Sequence, residues 1–233
     1  MKDLIICLAV GALLTVVGTA DAAQLLVVSE IWPGNEAGED WTEDWFEVTN
    51  AGDTAWVAAE HGDLYFDDDS ADWEKADLME GVSQLAPGES AVFVDGGQSA
   101  ALTWWTNYGE HAVTWPVGWY NGSGLGGGGD GVTLWVSQDA PVADSAYTLA
   151  EYPFAEDNGG QSYDTLLGAF SVAGNANGAK VYGNNGLSAD DEGNLVGNED
   201  IVASPGSGRV PEPGVISLMM IASLLGLTIL RCR

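Results

Sequence analysis

The chain has little positive charge. Its 233 residues hold 6 Lys and Arg against 35 Asp and Glu, a formal net charge of -29. Lys2, Arg231 and Arg233 sit at the extreme ends, so the stretch 23–209 carries 32 acids against 3 bases. A surface this acidic repels phosphate backbones, which excludes sequence-independent nucleic-acid binding and docking of this stretch on an anionic lipid surface. Cysteine is scarce too. Cys7 and Cys232 both lie in hydrophobic end segments, so the centre has no disulfide framework and no thiolate metal site. The two histidines, His61 and His111, supply little for imidazole chemistry. No nucleophile elbow, no His-Glu-x-x-His and no Cys-His pair occurs. The glycines Gly124, Gly126 and Gly129 match G-x-G-x-x-G, but they precede a strand-like run with no base nearby. That excludes a dinucleotide site.

Other features are abundant. A hydrophobic content of 46% with 10 Trp does not fit a disordered chain despite the charge. The 32 Gly point to many turns.

The two ends read as addresses. After Lys2, the run Leu4 to Val17 is apolar over 14 residues and is followed by Ala20-Asp21-Ala22. This is the layout of a secretory signal peptide, with residues 1–22 removed and Ala20 and Ala22 forming the cleavage site. At the other end, Val210-Pro211-Glu212-Pro213 precedes 16 mostly apolar residues, Val215 to Leu230, and then Arg231-Cys232-Arg233. As a helix that run reaches ~24 Å, slightly short of a ~30 Å hydrocarbon core. It is expected to be a single inner-membrane helix, with Arg231 and Arg233 held on the cytoplasmic side. The box, helix and basic end together resemble the PEP-CTERM sorting signal of Gram-negative bacteria. That resemblance implies processing by an exosortase and delivery to the cell surface or extracellular matrix. The plainer alternative is a simple C-terminal anchor.

Between the ends, the expected fold is all-β. Short β-branched or aromatic runs at 24–32, 44–49, 63–66, 90–94, 132–136 and 144–148 alternate with Gly, Pro, Asn and Asp turns. That punctuation suggests a sandwich or barrel. Ala71 to Leu78 is expected to form a helical turn or two. The stretch 168–205 reads as long loops with one short strand near Ala179 to Tyr182.

These runs also match a family pattern. Val27-Val28-Ser29-Glu30-Ile31-Trp32 looks like the opening strand of a lamin-tail domain. Asp44-Trp45-Phe46-Glu47-Val48-Thr49-Asn50 with Gly52 resembles that family's D-W-[IFV]-E block, and Leu85-Ala86-Pro87-Gly88-Glu89-Ser90 its L-x-P-G turn. Gly126 to Trp135 with Val142 to Ala146 is similar to its late hairpin. Gly159 to Ser162 and Ser204-Pro205-Gly206 resemble its ending. The resemblance spans about residues 24–206 and implies an immunoglobulin-like β-sandwich. It makes 23–206 one domain and 207–233 a linker and sorting tail.

Several clusters are candidates for chemistry. Glu30 and Glu47 sit on strands of otherwise buried type, where an unpaired carboxylate is costly. Hydrogen bonds to loop backbone N–H groups are the favoured account, and a catalytic pair is the alternative. Ser188 to Glu199 lies near the EF-hand template but begins with Ser in place of Asp and lacks helical flanks. That leaves Asp190, Asp191, Glu192 and Asn194 as candidate Ca²⁺ ligands, with Asp67, Asp68 and Asp69 as a second set. Solvated acidic loops are the plain alternative for both. Trp104, Trp105, Trp115 and Trp119 crowd one stretch, either as a stacking platform for a ligand or as core filling. The expected function is a non-enzymatic surface module for exopolysaccharide or another surface protein. A Ca²⁺- or carboxylate-dependent hydrolase of matrix polymers and a purely structural matrix component are the alternatives.

Overall fold

A computed structural model describes residues 25–33, 44–102, 116–126, 128–153, 161–172, 179–182, 188–189, 195–196 and 201–206. The signal segment with Ala20 and Ala22, the sorting motif Val210 to Pro213, the 215–230 run and its arginines lie outside the described residues. So do Trp104, Trp105, Trp115, Asp190, Asp191, Glu192 and Asn194. Among the described residues, no helix is long and apolar enough to cross a membrane.

The described chain is a β-sandwich. One sheet has six strands. Its centre is β1 (Leu26–Trp32), β2 (Trp45–Asn50) and β7 (Ser90–Asp95), with β11 (Tyr163–Asp164) and β12 (Ala169–Phe170) on one side and β8 (Val117–Tyr120) on the other. The other sheet has four, in the order β10 (Tyr147–Tyr152), β9 (Asp130–Ser137), β4 (Asp63–Asp67) and β5 (Asp77–Leu78). All pairings within these two sheets are antiparallel except β7 with β8, which is parallel. A small ribbon joins β3 (Trp56–Val57) to β6 (Gln84–Leu85), with the single turn α1 (Ala58–His61) following β3. Later in the chain β13 (Lys180–Tyr182) pairs with β16 (Ile201–Ala203), and β14 (Ser188–Ala189) with β15 (Leu195–Val196).

The two sheets share one core because their strands alternate. Phe46, Val48, Ala91 and Phe93 of the large sheet meet Leu64, Phe66, Val132 and Leu134 of the small one. Phe46 lies 5.0 Å from Phe66 and 5.3 Å from Tyr120, ring centroid to ring centroid, and Phe66 lies 4.5 Å from Tyr120. These offset ring contacts add to the burial itself.

β1 departs from simple alternation. Val28 pairs with Val48, but the next pairing is Glu30 with Glu47, which leaves Ser29 as an extra residue. A one-residue bulge exchanges the faces of everything after it. Ile31 therefore joins the core, while Glu30 and Trp32 turn to the outer face of the large sheet. That face is itself covered. Trp32 and Trp45 stack there, 6.3 Å apart and 7° from parallel, and pack with Val92, Val94, Ala101 and Ala203.

Two expectations need correction. Residues 71–78 form turns and β5, not a helix. Here Asp67 accepts from the Asp72 N–H, Asp68 from that of Ser70 and Asp72 from that of Glu74. Such local carboxylate bonds compete with a helical ladder. The strand expected at 144–148 begins later, at Tyr147, because Val142 to Ser145 close a turn with reciprocal bonds of 2.8 and 2.9 Å. The stretch 168–205, expected as long loops with one short strand near 179–182, contains that strand as β13 but also β12, β14, β15 and β16, so the loop expectation is met only in part.

Gly118 marks the tight approach of β8 to its neighbours. A Cβ there would stand 2.4 Å from the Glu80 carbonyl oxygen and 2.6 Å from the Phe93 ring. Gly118→Ala is expected to destabilise the domain by about 1–3 kcal/mol, the usual cost of overpacking. Urea denaturation followed by Trp fluorescence measures it, and an unchanged midpoint would contradict the close packing of Glu80 and Phe93 against Gly118.

Candidate functional site

The most unusual chemistry in the described chain lies on the covered outer face of the large sheet. Glu30 and Glu47 are direct cross-strand partners, and both are about 1% exposed. Like charges placed opposite each other destabilise a sheet, and burial adds a large desolvation cost. The surroundings answer with donors. Ser204 N–H donates to Glu30 Oε1 at 2.7 Å, and Gly206 N–H donates to Glu47 Oε2. Pro205 lies between them and has no N–H to satisfy. The segment 204–206 thus presents two donors, and each carboxyl takes one.

Hydroxyls complete the arrangement. On one side Ser29 Oγ donates to Glu47 Oε1 at 2.5 Å and lies 2.7 Å from Thr49 Oγ1, which lies 2.6 Å from Ser90 Oγ. On the other side Ser162 Oγ donates to Glu30 Oε1 and lies 2.9 Å from Ser171 Oγ. The bulge places Ser29 beside Glu30 on this face, so the network depends on it. Glu30 Oε2 is buried and has no hydrogen-bond partner among the described residues.

Desolvation pushes Glu30 up to about 8, and the neighbouring Glu47 charge pushes in the same direction against the donors Ser162 and Ser204. Desolvation likewise raises Glu47 to about 7, although Ser29, Gly206 and Thr49 pull it down. The two titrate as a pair. At neutral pH the pair retains a proton, which removes most of the repulsion between the strands. Segment 201–206 is tied down further by the Ser162 N–H bond to the Val202 carbonyl at 3.0 Å and by Ala203 packing in the Trp32–Trp45 cluster. The carboxyls therefore face protein, not an open cleft, and they act by holding this segment. The sequence reading of Glu30 and Glu47 as acceptors for loop N–H groups agrees with this geometry. The bulge and the hydroxyl partners escaped it.

The other sequence candidates are placed differently. Asp67 is fully buried, and its carboxylate accepts from Ser70 Oγ, Asp72 N–H and Ser123 Oγ at 2.8, 2.7 and 3.2 Å. Asp68 accepts from the Ser70 N–H at 2.8 Å, and Asp69 is exposed. Repulsion from Asp130, followed by slight desolvation and Asp68, raises the Asp69 carboxyl. Among the described residues no group of three or more His, Cys, Asp or Glu is disposed to hold a metal ion. Trp119 is half-buried and held at both ends. Its Nε1 donates to Glu80 Oε2 at 3.1 Å, and its backbone exchanges two bonds with Glu80.

The carboxyl pair sets a pH dependence whose sign is fixed. Each folded-state value lies above the ordinary 4.5, so between about 4.5 and 8 the folded state binds more protons than the unfolded one. Stability then falls as pH rises through that window. The melting temperature is expected to drop from pH 5 to pH 8.5, and Glu30→Gln combined with Glu47→Gln to flatten the slope. Parallel slopes for the parent and the double variant would show that the remaining acids, not this pair, govern the response.

Comparison of the chain with protein-family models, with curated proteins and with solved structures finds no match.

Proposed function

We propose that the chain is an exported, non-catalytic interaction module. On this reading residues 23–206 form an immunoglobulin-like sandwich of lamin-tail type, and residues 207–233 form a PEP-CTERM tail handled by an exosortase. The inner membrane is its station in transit, and the cell surface or extracellular matrix its destination. There the domain engages exopolysaccharide or another surface protein. Its dense acidic surface keeps copies apart in solution and favours partners that are neutral or positive.

One observation carries the lamin-tail reading: the motif blocks are neighbours in space. The blocks at 27–32 and 44–50 are β1 and β2, which pair with each other. The block at 85–90 leads into β7, which pairs with β2. The terminal Ser204-Pro205-Gly206 donates to the glutamates of the first two blocks. The family resemblance rests on the order of these blocks, and here they support one another physically.

Expression in a Gram-negative host with and without its exosortase tests the export reading, with intact-mass analysis of the product. The expected mature chain begins at Ala23, and its C-terminal tail changes only in the strain that carries the enzyme. Glu212→Ala is expected to give the enzyme-free product in both strains. A cytoplasmic product that retains Met1 would overturn the reading.

A further inference from the structure

Among the described residues, strand β10 is the longest edge strand. The other edges of the two large sheets are β5 and β12, of two residues each, and β8, whose outer side is bridged by Glu80, and the strands of the two-stranded ribbons run at most three residues. β10 runs six residues, pairs with β9 along its whole length and has nothing paired to its other side among the described residues. Natural edge strands are guarded by lysine, proline, a bulge, shortness or a cover. The sequence Tyr-Thr-Leu-Ala-Glu-Tyr has no lysine, proline or glycine, and its register with β9 is unbroken. Tyr147 is 54% and Leu149 40% exposed on the outer face of the sheet, and Thr148 between them is exposed on the opposite face. At this end the strand is therefore open on both faces as well as along its edge.

Charge says what fits there. Asp139 and Asp144 lie in the connection that leads into β10. Glu151 lies on the strand, and Asp130 lies opposite Tyr152 with the Asp69 N–H on its carboxylate at 3.3 Å. Lys75, the nearest base in sequence to this sheet, is paired with Asp72 at 3.2 Å. An apolar edge with acids at both ends is complementary to an extended segment that carries lysine or arginine on each side of an uncharged centre. A second copy of this chain would bring a further net charge of -29 to the same place.

We propose that β10 is a docking edge, and that it takes up an extended, cation-flanked segment of a partner protein as an added antiparallel or parallel strand. Backbone hydrogen bonds supply the affinity, Tyr147 and Leu149 contact alternate side chains, and the flanking acids select for positive charge. This rests on the reading of the domain as an interaction module and names the surface it uses.

The probe is a synthetic peptide of alternating threonine and valine with paired lysines at each end, titrated into the full chain by fluorescence anisotropy. Binding is expected, and a tenfold or greater loss is expected when alternate peptide amides are N-methylated, when the lysines become glutamates, or in Leu149→Lys. Tyr147→Lys is a second edge variant, and because the Tyr147 ring also packs on Trp135, 5.7 Å between centroids, its melting curve is recorded beside the binding to separate lost contact from lost fold. Equal binding of the N-methylated peptide would reduce the effect to charge alone and sink the proposal. So would binding that Leu149→Lys leaves intact. Dimerisation of the chain that Leu149→Lys abolishes would assign the edge to a second copy instead. An exported, correctly processed chain that ignores the peptide leaves the export reading standing. A cytoplasmic chain that binds it does the reverse.

Discussion

Two carboxyl groups facing each other across neighbouring strands, out of reach of water, are the constraint around which the outer face of the large sheet is arranged. Left alone, the pair would repel and would pull water into the fold. Three devices prevent this. The bulge at Ser29 brings Glu30 to the same face as Glu47 and supplies a hydroxyl to that face. Segment 204–206 delivers two N–H groups, with Pro205 silent between them. Burial itself raises both carboxyls, so that the pair keeps a proton at neutral pH. Each device lowers the cost of the buried pair, since a half-satisfied buried polar network is worse than an apolar one.

The large sheet is thus built with two different sides. Its inner side is a conventional aromatic and aliphatic core shared with the small sheet. Its outer side is divided between a small cluster around the Trp32–Trp45 stack and the carboxyl–hydroxyl network. The acids elsewhere follow a related rule. Asp67 is buried but spends one oxygen on the local donors Ser70 and Asp72 and the other on Ser123, and Asp130 caps Gly126 and Gly131 N–H groups. A protein with this much negative charge keeps its buried acids by giving each one backbone or hydroxyl partners, while acids such as Asp69 remain in solvent.

Much of this was legible in the sequence where period-two alternation and turn residues coincide. β1, β2, β4, β7 and β9 all fall on runs bounded by Gly, Pro, Asn or Asp, and the all-β class followed from them. The need of Glu30 and Glu47 for partners was also legible, since an acid within an apolar strand is conspicuous. The bulge was not, because it depends on pairing between strands, and Val-Val-Ser-Glu-Ile carries no glycine to announce it. β8 escaped as well. It has four residues, and it pairs in parallel with a strand more than twenty positions earlier, which no local pattern encodes. The stretch 71–78 read as helical, yet Asp67, Asp68 and Asp72 take up N–H groups of residues 70–74 and Asp77 takes that of Asn121. Side-chain competition of that kind is a tertiary outcome of local chemistry and is invisible to periodicity.

The bonds that secure the carboxyl pair join residues very far apart in the chain: 174 positions separate Glu30 from Ser204, and 159 separate Glu47 from Gly206. Contacts of such long range are formed late and slowly, because the whole intervening loop must be closed first. While the chain emerges from N- to C-terminus, its first two central strands carry carboxyls whose partners have not yet arrived. The large sheet can collapse early on its inner side, but its outer side is finished only when nearly the last residue of the domain is available.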